Sequence, residues 1–402
     1  MNKISFLISI VLLFVSCSQP KQNRNTSLNT DVHIIDLDNI SIDKNVRASS
    51  IFNKVTPIVL QSSEDVIIGK ISNLQIYENK IYILDRSLAK SLFVFAIDGT
   101  FLYRIGKSGQ GPGEYTYPTN FTIDKSTGLL YILDSEKRSI LTYNLDSGEY
   151  IDAVLLNSDR ICRHIQANNK SIYIDANYKN SDQCGYLLYE IDSKTGNDIY
   201  AMLEVEEYNK GWLEVASIED GFFHSRNEDS PKYTQLFMDT VIGIRDRSIY
   251  PFLAVRSKRW IKQNELKSIY EESGLIGFFE KLESRNQVYG ISRLTEYKDY
   301  VIFNIMHGKQ GTMQIIYNTE TKEAKMCEWI FDDLLFKEES LGMLGKVYCT
   351  IDGKICTAGN LNESFLQLDE STKSKILKED IKNRDEILSQ SIDSNPILFL
   401  YE

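Results

Sequence analysis

The sequence is poor in the residues that build most catalytic centres. It has four histidines, His33, His164, His224 and His307, and none stands at a ligand-like spacing from another histidine or an acid. No C-x-x-C pair occurs, so the common zinc-binding spacings are missing. No G-x-S-x-G occurs, which leaves Ser-His-Asp hydrolysis without its nucleophile elbow. The five cysteines after Cys17 (Cys162, Cys184, Cys327, Cys349 and Cys356) are an odd set, so disulfides within one chain are not the framework. Long basic runs are absent too. With 45 Lys and Arg against 56 Asp and Glu, the net charge of −11 makes nucleic acid and anionic membrane surfaces poor partners. After the first seventeen residues, no apolar stretch approaches a membrane-spanning length.

What is present begins with an address. MNKISFLISIVLLFVSC places a lysine before a short apolar run, then a small residue and Cys17. That order predicts a signal peptide over residues 1–16, with Cys17 lipidated in the manner of a bacterial lipobox, although Phe14 departs from its usual leucine. A plain signal peptide cleaved near a cysteine is the alternative. Residues 17–32 then read as the lipidated cysteine and a flexible tether, because SQPKQNRNTSLNT is polar and has little to bury. Residues 33–402 read as one domain.

That domain is written in short strands. Three segments, starting at Asn79, Gly128 and Lys170, each carry a β-branched and aromatic run ending in Asp85, Asp134 or Asp175. A second run ends in Asp98, Asp146 or Asp192, and a glycine turn and a third run follow. Tyr82, Tyr131 and Tyr173 recur at intervals of 49 and 42 residues, the period of four-stranded propeller blades. LFVFAI and LLYILD are apolar at nearly every position, which suits strands covered on both faces by neighbouring blades. Looser repeats continue to the C-terminus. Their spacing gives an all-β, six-bladed β-propeller of four-stranded blades, with seven blades as the rival count.

Two segments break the strand pattern, Trp260 to Leu282 and Ser374 to Gln390. Both predict amphipathic helices inserted between strands, packed on the rim. A propeller must close its ring, since an open edge leaves backbone groups without partners. The terminal NPILFLYE is expected as the third strand of the last blade, completed by TPIVLQS (56–62) or HIIDLD (33–38). Cys349 and Cys356 flank TIDGKI, where an Asp352-Gly353 turn would set them opposite each other as the best-placed disulfide pair.

The densest glycines lie in GKSGQGPGEYTYPTNFTID, residues 106–124. A phosphate loop needs glycine five places before Gly106, where Phe101 stands, and a dinucleotide fold needs glycine at Glu114. The segment reads instead as the joint from the outer strand of one blade to the inner strand of the next. Glycines permit its sharp turns, and Pro118 fixes its exit.

GKSGQGPGEYTYPTNFTID followed by LLYILD resembles the signature of six-bladed β-propeller lipoproteins of Bacteroidota, relatives of NHL-repeat propellers. FMDTVIGI followed by IYPFLAV, and Asn395-Pro396 near the end, are similar to that family as well. The resemblance implies the fold and an exported lipoprotein habit, and it transfers no catalytic residue. In such bacteria acids just after the lipidated cysteine mark surface display. Ser18 to Asn25 has none, which implies an outer-membrane lipoprotein facing the periplasm.

The sequence therefore predicts a binding or interaction protein, with no catalytic residue named. Its partner would be a small molecule, a glycan or a protein, held at the channel mouth. Candidate ligand-binding residues are Glu114, Tyr115, Asp134, Arg163 and His164. Glu114 has the competing role of holding its own loop by accepting backbone N–H groups. Asp85, Asp134 and Asp175 would tie turns, and a Ca²⁺ held by such carboxylates is the one cofactor considered. The rival functions are a metal-dependent hydrolase or lyase using channel carboxylates, and a scaffold in an outer-membrane assembly that docks through its helices.

Overall fold

A computed structural model of the protein describes residues 21–22, 32–156, 160–168, 171–176, 185–211, 221–223, 230–245, 247–337 and 342–402. The signal peptide, Cys17, most of the tether, Cys184 and His224 lie outside the described residues.

Six antiparallel sheets form the blades of a propeller. Blade one comprises Asn73–Tyr77, Lys80–Asp85, Ser91–Ala96 and Phe101–Ile105, from the inside outwards. Blade two comprises Pro118–Asp124, Leu129–Asp134, Ser139–Asn144 and Tyr150–Leu155. Blade three comprises Ile165–Asn168, Ser171–Asp175, Tyr186–Ile191 and Asp198–Glu204. Blade four has two very short inner strands, Phe222–Phe223 and Lys232–Tyr233, before Thr240–Arg245 and Ser248–Arg256. Blade five comprises Val288–Tyr297, Tyr300–His307, Gly311–Asn318 and Ala324–Cys327.

Blade six closes the ring. Lys346–Ile351 and Lys354–Ala358 are followed by Ile397–Tyr401, and Val55–Val59 completes the sheet, with Ile397 opposite Val59 and Tyr401 opposite Val55. Of the two candidate closing strands, TPIVLQS is the one used. Pro57 is tolerated because its strand is the outer edge, where a missing N–H breaks no ladder. The other candidate, His33–Asp36, runs parallel to Ser248–Arg256 as a fifth strand on blade four. Lys21–Gln22 does the same on blade three, so the stretch read as a tether contributes a strand.

The core explains why strands such as KIYILD are apolar throughout. Ile81 and Ile83 pack in a cluster with Leu398 and Cys356 of blade six, while Tyr82 and Leu84 pack in another with Phe121 and Leu130 of blade two. Alternate side chains thus serve opposite neighbours. The buried apolar residues fall into six clusters, one at each blade-to-blade interface, and together they run round the whole ring.

Successive strands alternate in direction, so two kinds of connection open on one face: crossings between blades, and turns between second and third strands. The helical insertions belong to this crossover face. Gln263–Glu283 lies between blades four and five and is kinked at Gly274, where φ is +60°. Its Leu266, Ile269, Phe278 and Leu282 are buried against those blades. Within blade six the expected single helix over 374–390 is replaced by the short helices Glu370–Ile376 and Arg384–Leu388, preceded by Glu363–Leu366. The cause is tertiary: Leu377 leaves the helical path to bridge Phe336, and Lys337 N–H donates to Ile376 O at 2.8 Å. Leu377, Ile381 and Leu388 are buried, as their spacing suggests. Cys349 and Cys356 stand opposite each other in the register of a hairpin turned by Asp352 and Gly353, both at positive φ, and both are free thiols.

Candidate functional site

The recurrent aspartates occupy one structural position. Asp85, Asp134 and Asp175 each end a second strand, and each is buried. Asp85 accepts the backbone N–H groups of Ser87 and Leu88 in its own turn and of Gly69 and Lys70 in the crossing that enters its blade. Asp134 does likewise with Glu136 and Lys137, and with Thr116 and Tyr117. Asp175 accepts from Arg163 N–H at 2.7 Å and His164 N–H at 2.8 Å, and its Oδ2 lies 2.7 Å from His164 Nδ1. These carboxylates clip each incoming crossing to the blade it enters.

The remaining blades vary the device. In blade six the polarity is exchanged: the crossing supplies the acid, Asp332, which accepts from Tyr401 Oη and from Asn360 Nδ2. Asn360 stands two residues beyond that blade's second strand. In blade five the equivalent place holds His307, whose Nδ1 accepts the Gln310 N–H at 3.1 Å. There the crossing is held by backbone bonds from Gly308 to Gln287 and from Lys309 to Arg285.

The GKSGQGPGEY segment is the joint from blade one to blade two. Lys107–Ser108 pairs in parallel with Glu114–Tyr115, so the loop folds on itself. Glu114 Oε2 accepts the Gly111 N–H at 2.9 Å, and Oε1 pairs with Lys107 Nζ at 3.1 Å. The Gly111 N–H, then Lys107, hold this carboxyl below its ordinary pKa. A Cβ at Gly109 would come within 2.1 Å of Glu114 Oε2, so the glycine makes room for the carboxylate. Gly106, at φ +65°, takes a left-handed turn that lets Tyr115 pack on it.

Tyr115 is fully buried, and its hydroxyl donates to Ile105 O and accepts from Leu92 N–H. Of the five candidate residues, the structure thus spends Glu114, Tyr115 and Asp134 on internal bonds of the joint. It places Arg163 and His164 together at the next joint, on Asp175. Among the described residues no three His, Cys, Asp or Glu side chains gather as a metal-holding group.

The channel wall offers a different site. Between blades one, two and three the inner strands are stitched together. Gln75 Nε2 donates to Phe121 O at 3.1 Å, Asn73 Nδ2 donates to Asn120 Oδ1, and Ala167 N–H donates to Thr122 Oγ1. Between the inner strands of blades four, five and six a small recess of about 30 Å³ opens to solvent. Phe222 and Phe223 come from blade four, Arg293, Leu294 and Thr295 from blade five, and Lys346 to Thr350 from blade six. Arg293 has φ +53°, in the left-handed region, where the register with Tyr300–His307 skips from Ser292 to Thr295. This is a β-bulge, a device that redirects a side chain. Lys346 Nζ sits 4.9 Å from the centre of the Tyr348 ring, and Tyr348 Oη donates to Ile71 O at 3.2 Å.

Sequence reasoning missed this pocket because its residues come from three distant segments. One trace of it was there: in VYGISRLTEY the buried Ile291 and Leu294 are three apart, where a regular strand would space them by two.

A family model described as a domain of unknown function, DUF4934, matches residues 32–402. Among solved structures the chain is similar to a predicted exported protein from Bacteroides fragilis. The TM-score is 0.72 and the identity 16%, over 92% of this chain and 99% of that one. It is also similar to a member of the DUF4221 family from Bacteroides vulgatus, with a TM-score of 0.50 and 12% identity, over 88% of this chain and 97% of that one. At these identities the likeness is one of fold. No curated protein sequence matches the chain.

Proposed function

The chain belongs to the DUF4934 family, and from that premise we propose that it is an exported propeller, anchored by lipid at Cys17 and facing the periplasm, whose work is binding. The pocket between blades four, five and six carries this reading. Its lining brings Phe222, Phe223 and Tyr348 together with Thr295, Thr350, Arg293 and Lys346. Concave sites that join apolar walls to a few polar groups are the usual form of a small-molecule or glycan site. Export is supported by the apolar leader that ends at Cys17 and by the company of the Bacteroides fragilis protein. Docking through the helices has less support, because the apolar residues of Gln263–Glu283 that face the blades are already covered.

The test uses the chain from Val32 onwards in a thermal-shift screen of small molecules and sugars, repeated with Thr350→Trp. The indole should fill the pocket, leave the ligand-free melting temperature close to that of the parent, and abolish the shifts. Shifts that survive Thr350→Trp would move the binding site elsewhere.

A further inference from the structure

Resting on the reading that the chain is exported, we propose that Cys349 and Cys356 are an oxidation site, closed in the mature protein as a disulfide across the hairpin of blade six. Oxidising compartments, the periplasm among them, form and keep such bonds. Register makes the first argument. Cys349 stands opposite Cys356, with Thr350 opposite Ile355 and Ile351 opposite Lys354. Opposed residues of an antiparallel pair put their side chains on one face, with Cα atoms about 4.5 or 5.5 Å apart. Either spacing lies within the range that a disulfide spans without moving the backbone. The register shift between Val347 and Cys349 falls beyond the pair, so the ladder from Cys349 to the turn is unbroken.

The surroundings make the second. Both side chains are buried in one apolar cluster, with Ile81 and Ile83 of blade one and Leu398 of blade six. The two thiols share a hydrogen bond, which together with burial holds the Cys356 thiol well above its ordinary pKa. Cys162 and Cys327 sit in separate clusters. Among the described residues there is thus one opposed dithiol, seen in its reduced form, and a sulfur–sulfur bond there replaces a weak thiol contact.

The third argument is the order of assembly. Asp352 at φ +46° and Gly353 at φ +72° have the signs that a two-residue type I′ turn requires. That turn alone brings the two sulfurs together. Their burial needs more, the strand Ile397–Tyr401 and the flank of blade one. The folded site holds little thiolate, the reactive form, so oxidation belongs to the open hairpin and the finished bond is sealed from reductants. The oxidant is another disulfide, of an oxidoreductase or a small molecule. The Cys349 Sγ–Cys356 Sγ bond forms, the oxidant's S–S bond breaks, and two electrons and two protons pass to its sulfurs.

Thiol counting by mass spectrometry tests this on the full chain made in its own cell, quenched in acid, unfolded and alkylated. Protein from the envelope fraction should yield a peptide that joins Cys349 to Cys356, lighter by two hydrogens than the dithiol, with neither residue alkylated. The folded protein should keep the bond in dithiothreitol and lose it once guanidinium is added. Cys349→Ser should leave Cys356 open to alkylation. Alkylation of both cysteines in envelope protein overturns the disulfide and leaves export standing. Equal reduction with and without guanidinium overturns the sealed site. If the chain is recovered only from the cytoplasm, the export reading falls and this inference falls with it.

Discussion

Asp85 and Gly69 belong to opposite sides of a joint, and Asp85 Oδ2 accepts the Gly69 N–H at 2.8 Å, clipping the crossing from blade six onto blade one. The same carboxylate accepts the N–H groups of Lys70, Ser87, Leu88 and Ala89. Asp85→Ala leaves these donors without their acceptor in a buried place, and should cost about 3 kcal/mol in urea unfolding. A loss below about 0.5 kcal/mol would show that the clip is dispensable. Burial pushes the pKa of Asp85 up, but the Leu88, Ala89, Ser87 and Gly69 N–H groups outweigh it and hold the pKa below 3.8. A depressed folded-state value means that its stabilisation is complete above the unfolded-state value and is lost as pH falls through the folded-state one. Asp85→Asn should therefore flatten the acid limb of the stability curve.

Asp332 should behave in the opposite sense. Burial raises its pKa, although Tyr401 and Asn360 donate to it. A raised folded-state pKa gives a contribution that is present at low pH and is lost as pH rises through that value. Asp332→Asn removes the titration and keeps an acceptor for Tyr401. The variant should gain on the parent as pH rises above about 4 in parallel urea titrations. A constant difference over that range would contradict the burial argument.

Deleting residues 395–402 should abolish folding. Ile397–Tyr401 is the third strand of blade six, between Lys354–Ala358 and Val55–Val59, and its loss strands both neighbours. Asn395 goes with it. Its Oδ1 accepts the Ile68 N–H at 2.7 Å, and its Nδ2 donates to Gln61 O and Val66 O. A truncated chain that melted at the parent temperature would refute this closure.

Cys17→Ala should prevent incorporation of a labelled fatty acid in the producing cell and move the protein from the membrane fraction to the soluble one. Retention of label in that variant would place the lipid on another residue or discard it.

Much of the ring was legible because a blade repeats a local pattern. Tyr82, Tyr131 and Tyr173 mark the same strand in three blades, and Asp85, Asp134 and Asp175 mark the same turn. The later clips were hidden because other chemistry replaces the aspartate, as at His307 and at the pair of Asn360 and Asp332. His33–Asp36 reads as a strand, but its parallel partner lies more than two hundred residues away, and nothing local selects blade four over blade six. Glu114 was expected either to tie its loop or to face a ligand, and its bonds to Gly111 and Lys107 tie the loop. The pocket escaped notice for the same reason as the extra strand. Phe223, Arg293 and Lys346 meet only after blades four, five and six are assembled.

The pairing of Val55–Val59 with Ile397–Tyr401 also sets a timetable for the molecule. The strand nearest the N-terminus in blade six cannot find its neighbour until almost the whole chain has been made. Early blades can form their hairpins as they appear, but each has a bare flank until the next arrives, and the circle has none to spare. Such long-range pairing is slow. The nascent chain is therefore open to association with its own kind until residue 401 is delivered, which makes closure of the circle the most exposed step in forming this fold.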